Sequence, residues 1–455
     1  MSRPNPHQGF VAPTMSRREF VRLTALATGV AALAACAPAP AAAPTEAPAA
    51  TTAPAAGGQA GSLTLWSWEG MTDGLSTQVA KFNEKYPDVK FETQFYGYDD
   101  VHTNLLNAIV AGTGAPDLVV FDTFHLSEYA DGLADLTTEV SPIADQFIKP
   151  STAVTSLKGK HYGLPTDLQP IGLYYRNDLW EKAGLKETDF ETWPDLAGLS
   201  SKYDAAVGGQ GHLFLVSSND AALFEILAIE AGFRGYYFND DDTKVIVDDP
   251  KMVEAITEMK ALWDAKGTLQ NPQGGYAGDE STALFKKDQL ATQLVGAAWL
   301  PHSYPNSMPE LAGKWRITKS PAIVKGGLRG GFQYPSMFAI PSQSKMKEQA
   351  WYLLFLATTG DGARAFRDKS KVLCPFKEVY DETLHQPEDY FGGQKIYEVF
   401  ADISKDLPDI FYGTGFSEAQ LIVSSHLAGI MTGETTPADG LAAAAKEMRS
   451  KLNKG

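Results

Sequence analysis

Cys36 and Cys374 are the only thiols in this 455-residue chain, and Cys36 stands where a thiol can do chemistry. Leu33-Ala34-Ala35 precedes it, and small residues ahead of a cut let a peptidase approach the backbone closely. The thiol would then form a thioether to a diacylglyceryl group. Two acyl chains, at ~0.8 kcal/mol per buried CH2, hold a protein far more firmly than one myristoyl chain. A lone Leu-x-x-Cys is a weak signal; behind a basic segment and an apolar run it is strong. Cys374 is then left without a disulfide partner and is expected to be a small buried apolar residue. Other chemistry is sparse. The eight histidines are scattered without metal-ligand spacing, and neither a Gly-x-Ser-x-Gly elbow nor a phosphate loop occurs. No metal and no cofactor are expected.

The segment before Cys36 reads as a removable signal over 1–35. Arg17-Arg18 is followed by Phe20 and then by the apolar run Leu23 to Ala35, 13 residues long. That length suits a signal peptide and not a membrane span. The twin arginines resemble a twin-arginine export signal, the alternative being an ordinary basic segment. Residues 36–61 hold the lipidated cysteine and an Ala/Pro-rich spacer too poor in apolar side chains to build a core. The formal net charge is −16; without Arg3, Arg17, Arg18, Arg22 and Glu19 the remainder holds 35 basic and 54 acidic residues, net −19. Such a surface disfavours nucleic acid and anionic membranes, so membrane contact is expected through the lipid alone.

The elements that must position any site begin at residue 62. Leu63 and Leu65 alternate with Thr64 and Trp66, and Val89, Phe91, Thr93 and Phe95 alternate again, predicting two strands. Between them Leu75, Val79, Phe82 and Tyr86 recur at helical spacing until Pro87. Asp99 or Asp100 is expected to cap a helix bearing Leu105, Leu106, Ile109 and Val110, closed by Gly112. Leu118-Val119-Val120-Phe121 predicts a strand covered on both faces. This β-α-β-α-β order opens a doubly wound α/β lobe. Later, Asp249-Pro250 starts a helix ended by Gly267, Ala350 to Ala357 is apolar and helical, and Thr436-Pro437 starts a last amphipathic helix.

In order along the chain stand Leu63-Thr64-Leu65-Trp66-Ser67-Trp68, Phe82-Asn83-Glu84-Lys85-Tyr86-Pro87-Asp88-Val89, Ala111-Gly112-Thr113-Gly114-Ala115-Pro116-Asp117-Leu118-Val119, Gly159-Lys160-His161-Tyr162-Gly163-Leu164-Pro165 and Leu173-Tyr174-Tyr175-Arg176-Asn177-Asp178-Leu179. Thr192-Trp193-Pro194-Asp195-Leu196 and, more loosely, Ala298-Trp299 and Ala339-Ile340-Pro341 follow. Together they resemble the family 1 extracellular solute-binding proteins of ABC importers. The resemblance implies an α/β, two-lobed type II periplasmic-binding-protein fold, each lobe a sheet flanked by helices, joined by a multi-segment hinge. It implies a first lobe of 62–167 plus 318–375 and a second of 168–317 plus 376–455. The crossings would fall near 165–172, 315–321 and 375.

The resemblance further implies a monomeric lipoprotein on the outer face of the cytoplasmic membrane. It would pass a mono- or oligosaccharide to permease subunits without enzymatic turnover. A sugar site needs aromatic faces to stack on and carboxylates or amides to bond hydroxyls. The expected ligand set is Trp68, Glu69, Phe121, Asp122, Asp167, Gln169, Asn219, Asp220, Trp299, Tyr334 and Phe416. Rival structural roles stand beside these: core packing for Trp68 and Trp299, an ordinary glycine-rich loop at Tyr334 and Phe416, a helix cap for Asp122, a hinge turn for Asp167 and Gln169. A polyol, polyamine, peptide or phosphodiester is the alternative ligand, and a glycoside-acting enzyme the alternative class.

Overall fold

The computed structural model describes residues 61–455, apart from Glu69 and Gly274. The signal, Cys36, the spacer and Glu69 therefore lie outside the described residues.

The first sheet grows from the alternating segments. β1 (Gly61–Ser67), β2 (Val89–Phe95) and β3 (Leu118–Asp122) pair in parallel in the order β2-β1-β3. A two-stranded ribbon, β4 (Ser156–Leu157) with β5 (Lys160–His161), precedes β6 (Gly163–Pro165). The second sheet contains β7 (Pro170–Arg176), β8 (His212–Val216), β9 (Leu269–Gln270), β10 (Leu290–Ala297), β11 (Trp315–Thr318) and β12 (Gly331–Phe332). β13 (Ser336–Ala339) then returns to the first sheet and lies antiparallel between β3 and β6. Two sheets, each with helices against it, make two lobes.

All five residues of β3 are buried, as its continuous apolar run predicts. Leu118 and Val120 join a cluster with Leu65, Phe82, Phe338 and Leu354 on one face. Val119 and Phe121 join Val101, Leu105 and Tyr129 on the other. The period of two in a strand fixes this split.

Helix signals hold with local corrections. The helix before Pro87 forms as two pieces, Asp73–Ser76 and Val79–Lys85. Gly97 caps the helix Tyr98–Ala111, so Asp99 and Asp100 sit in its first turn, where negative charge complements the helix dipole. Gly112 closes it at φ 68, a conformation that favours glycine. Asp249 accepts from the Lys251 N–H at 2.9 Å to cap Pro250–Asp264, which stops three residues short of Gly267. Thr436 caps Pro437–Leu452 through the Asp439 N–H at 3.1 Å.

Three segments run between the lobes and bond to one another. The Thr166 N–H donates to Ser336 O at 2.9 Å, Gln333 N–H to Gln169 O at 2.8 Å, and Leu168 N–H to Leu373 O at 2.8 Å. The second of them departs from the expected 315–321. Trp315–Thr318 is itself strand β11, and β12 still pairs with β7, so the chain leaves the second sheet only between Phe332 and Ser336. Cys374 is buried, and burial pushes its thiol up to about 12, as befits an inert core residue. Among the described residues no helix is long and apolar enough to cross a membrane.

Candidate functional site

Open α/β sheets place ligands beyond the carboxyl ends of their strands. Here Trp68 follows β1, Tyr98 follows β2 and Asp122 ends β3, so three neighbouring strands deliver two aromatic rings and an acid to one edge. Asp167, Gln169, Gln333, Tyr334 and Ser336 arrive on the crossing segments. From the second lobe Trp299 and His302 stand at and within the start of the helix Leu300–Ser307, three residues apart and so on one face. These side chains, with Gly70, Met71, Ser370 and Val372, line a cavity of about 450 Å³. That size lies within the usual range for small-molecule sites. Gly70 has φ 90, and a Cβ there would lie 3.7 Å from His302 Nε2 of the other lobe.

The polar floor is a hydrogen-bonded pair of acids. Tyr98 donates its hydroxyl to Asp122 Oδ2 at 2.5 Å, and Ser336 Oγ donates to Asp122 Oδ1 at 2.7 Å. The Ser336 N–H donates to Asp167 Oδ1 at 2.8 Å, Thr166 Oγ1 to the same oxygen at 3.1 Å, and the Gln169 amide to Asp167 Oδ2. Ser336 thus joins both acids, one through its side chain and one through its backbone. Burial pushes Asp122 up to about 6, with the Tyr98 and Ser336 hydroxyls opposing the rise. Asp167 is pushed up to about 7, again by burial, against the Ser336 N–H and Gln169. Removing a carboxylate from water disfavours its charged form, and donated hydrogen bonds restore part of the loss.

Aromatic contacts set the walls. Trp68 meets Tyr98 edge-on at 5.2 Å between centroids. Behind them His102 packs 4.8 Å from Tyr98 and 4.2 Å from His125. Burial and the neighbouring His125 push His102 down to about 3, so it is a neutral packing ring. Tyr334 gives its hydroxyl to Glu225, which also accepts from Tyr237 at 2.5 Å and Gln420 at 3.0 Å. Phe124, two residues beyond Asp122, reaches across to Tyr334 at 4.5 Å and Phe416 at 5.3 Å.

Of the sequence-predicted set, Trp68, Asp122, Asp167, Gln169, Trp299 and Tyr334 come together on the cavity wall. Four others do not. Phe121 is fully buried, because the residue before Asp122 must face the opposite side of β3, against Tyr129 at 5.1 Å. Phe416 is fully buried in the aromatic cluster behind Tyr334. Asp220 is a buried helix cap, accepting from the Leu223 N–H at 2.9 Å and from the Tyr276 hydroxyl. Asn219 sits exposed in the turn before that helix, off the cavity wall. Sequence reading missed Tyr98, His302, Gln333 and Ser336. Tyr98 carried a usable signal, an aromatic residue just past a predicted strand, and His302 another, one helical turn from Trp299.

A sequence profile described as bacterial extracellular solute-binding protein matches residues 41–363. The chain is 28% identical over 406 residues to an arabinooligosaccharide-binding protein of Bacillus subtilis (strain 168), covering 86% of this chain and 92% of that one. It is 26% identical to a lactose-binding protein of Rhizobium radiobacter, covering 84% and 90% respectively. Among solved structures, an ABC-transporter-associated binding protein from B. animalis subsp. lactis Bl-04, in complex with beta-1,6-galactobiose, superposes with a TM-score of 0.70 at 25% identity, covering 86% of this chain and 97% of that one. The GacH receptor of Streptomyces glaucescens GLA.O shares the fold at a TM-score of 0.71 and 18% identity, covering 87% and 99%. The two-lobed α/β fold, its sheets and the profile match over most of the chain agree: this chain belongs to the bacterial extracellular solute-binding protein family.

Proposed function

We propose that this chain captures an oligosaccharide between its lobes and hands it to the permease of an ABC importer. The observation that carries the reading is the cavity at the lobe junction, where aromatic rings flank two hydrogen-bonded acids. Rings cover the apolar C–H faces of a sugar, and acids and amides accept from its hydroxyls. The names of the relatives, binders of arabinose oligomers and of lactose, point the same way. In this reading Trp68, Tyr98, Asp122, Asp167, Gln169, Trp299, His302 and Tyr334 touch the ligand, and Ser336 holds the acids in place.

Binding without turnover is the economical role, since those relatives are binding proteins. Closure follows from differential affinity: only when the lobes approach do Trp299 and His302 add their contacts to those of the first lobe. The lobe boundaries we favour are residues 61–167 with 336–375, and 168–332 with 376–455. Export behind a cleaved signal, with a lipid on Cys36 as tether, completes the proposal.

The test is calorimetric titration of the purified chain against arabinose oligomers, lactose, galactobiose and their monomers. Saturable binding of at least one supports the reading; a flat titration with all of them, or turnover of a chromogenic glycoside, overturns it.

A further inference from the structure

The two acids on the cavity wall meet only neutral donors: two hydroxyls for Asp122, and a hydroxyl, a backbone N–H and an amide for Asp167. No lysine or arginine is among the described lining residues, and His302 is the one basic side chain there. A third acceptor lies beside them. Gln169 is 6% exposed, its amide nitrogen is committed to Asp167, and its Oε1 has no partner. Buried acceptors left unmatched are costly, and buried carboxylates gain most from a cationic donor. The wall is therefore a cradle of acceptors with no lysine or arginine among its described lining residues.

Resting on the sugar-binding reading above, we propose that this cavity ranks sugars by charge. Sugars bearing a protonated amine bind tightest, neutral sugars bind less tightly, and uronates and phosphorylated sugars are turned away. An ammonium brings up to three N–H donors and no acceptor, which is what Asp122, Asp167 and Gln169 Oε1 lack. A ligand carboxylate or phosphate adds like charge to two buried acids.

The groups facing these acids do not reverse the ranking. Tyr98, Tyr334 and Tyr412 have hydroxyls that burial keeps protonated. His102 is held neutral, and His125 is engaged with Glu128 Oε2 at 2.9 Å behind the wall. Glu225, behind Tyr334, is another acid.

The experiment titrates the full chain with the tightest neutral sugar found, its positional aminodeoxy derivatives and its uronate. The expected result is at least one amine binding about tenfold or more tighter than the parent, and the uronate about tenfold or more weaker. The amine advantage should widen from about pH 5 to about pH 7, where the acids ionise, and shrink in Asp122→Asn and in Asp167→Asn. Thermal melts check that each variant folds, and either one that does suffices. Amines no tighter than the parent at every position, or an advantage untouched by the Asn variants, overturns the inference while the sugar reading stands. Absence of binding by every neutral sugar would instead remove the reading beneath it.

Discussion

Trp299→Ala is expected to separate binding from folding. Trp299 lies on the second-lobe wall of the cavity and keeps 37% of its surface exposed. A tryptophan buries about 150–250 Å² when fully covered, so about 50–90 Å² of this ring is open to a ligand. At about 25 cal/mol per Å², covering it contributes about 1.3–2.3 kcal/mol. Its loss should weaken sugar affinity by about 10- to 50-fold. The rest of the residue is covered, so some stability is lost as well, and titrations belong well below the melting temperature. Phe121→Ala is the matched control: Phe121 is fully buried one residue from Asp122 and away from the cavity. Its removal should cost about 3–5 kcal/mol of stability. Affinity of the fraction that stays folded should remain within about twofold. Calorimetry gives the affinities and urea unfolding the stabilities. Affinity retained in Trp299→Ala but lost in Phe121→Ala would refute the assignment of these two rings.

Two further outcomes follow from the acid pair. Asp167 is raised in the fold from 3.8 to about 7, so its contribution to stability is full below its unfolded value and is lost as pH rises through about 7. Without ligand, wild type should therefore lose stability relative to Asp167→Asn between about pH 4 and pH 7, at up to about 1.4 kcal/mol per pH unit in urea melts; a pH-independent difference would contradict the burial argument. Ser336→Ala removes the 2.7 Å bond to Asp122 and should cost about 1.5–3 kcal/mol at pH 8, where the acid is charged. The cost should shrink toward about 1 kcal/mol at pH 5, where it is neutral; an equal cost at both pH values would point to packing instead.

Much of the first sheet was legible because its strands alternate in the open. Leu63 and Leu65, then Val89 and Phe91, announce β1 and β2, and the glycine at 112 and the cap at Asp249 mark helix ends by local chemistry. The apolar run 118–121 announced a strand but not which residue faces which way. Phe121 therefore entered the expected ligand set beside Asp122, although adjacent strand residues must part. Trp68, Asp122 and the hinge pair Asp167 and Gln169 were readable as residues just past strands or on a crossing. Ser336 was not: its role exists only through the pairing of β13 with β3, which no local pattern encodes. The second crossing was misplaced for a related reason. The family resemblance put it near 315–321, whereas the pairing of β12 with β7 keeps the chain in the second sheet as far as Phe332.

The position of β13 has a consequence for how the protein is made. Ser336 meets Asp122 across a separation of 214 residues, and its strand fills the gap between β3 and β6. At about 5–20 residues per second, a ribosome needs roughly 10–40 s to supply the missing strand. Until then β3 and β6 each present an unpaired edge, the kind that recruits other chains. The first lobe, although it starts the described chain, must finish late. Its two acids acquire their shared partner in the same event that closes the sheet, so competence to bind is a late product of folding.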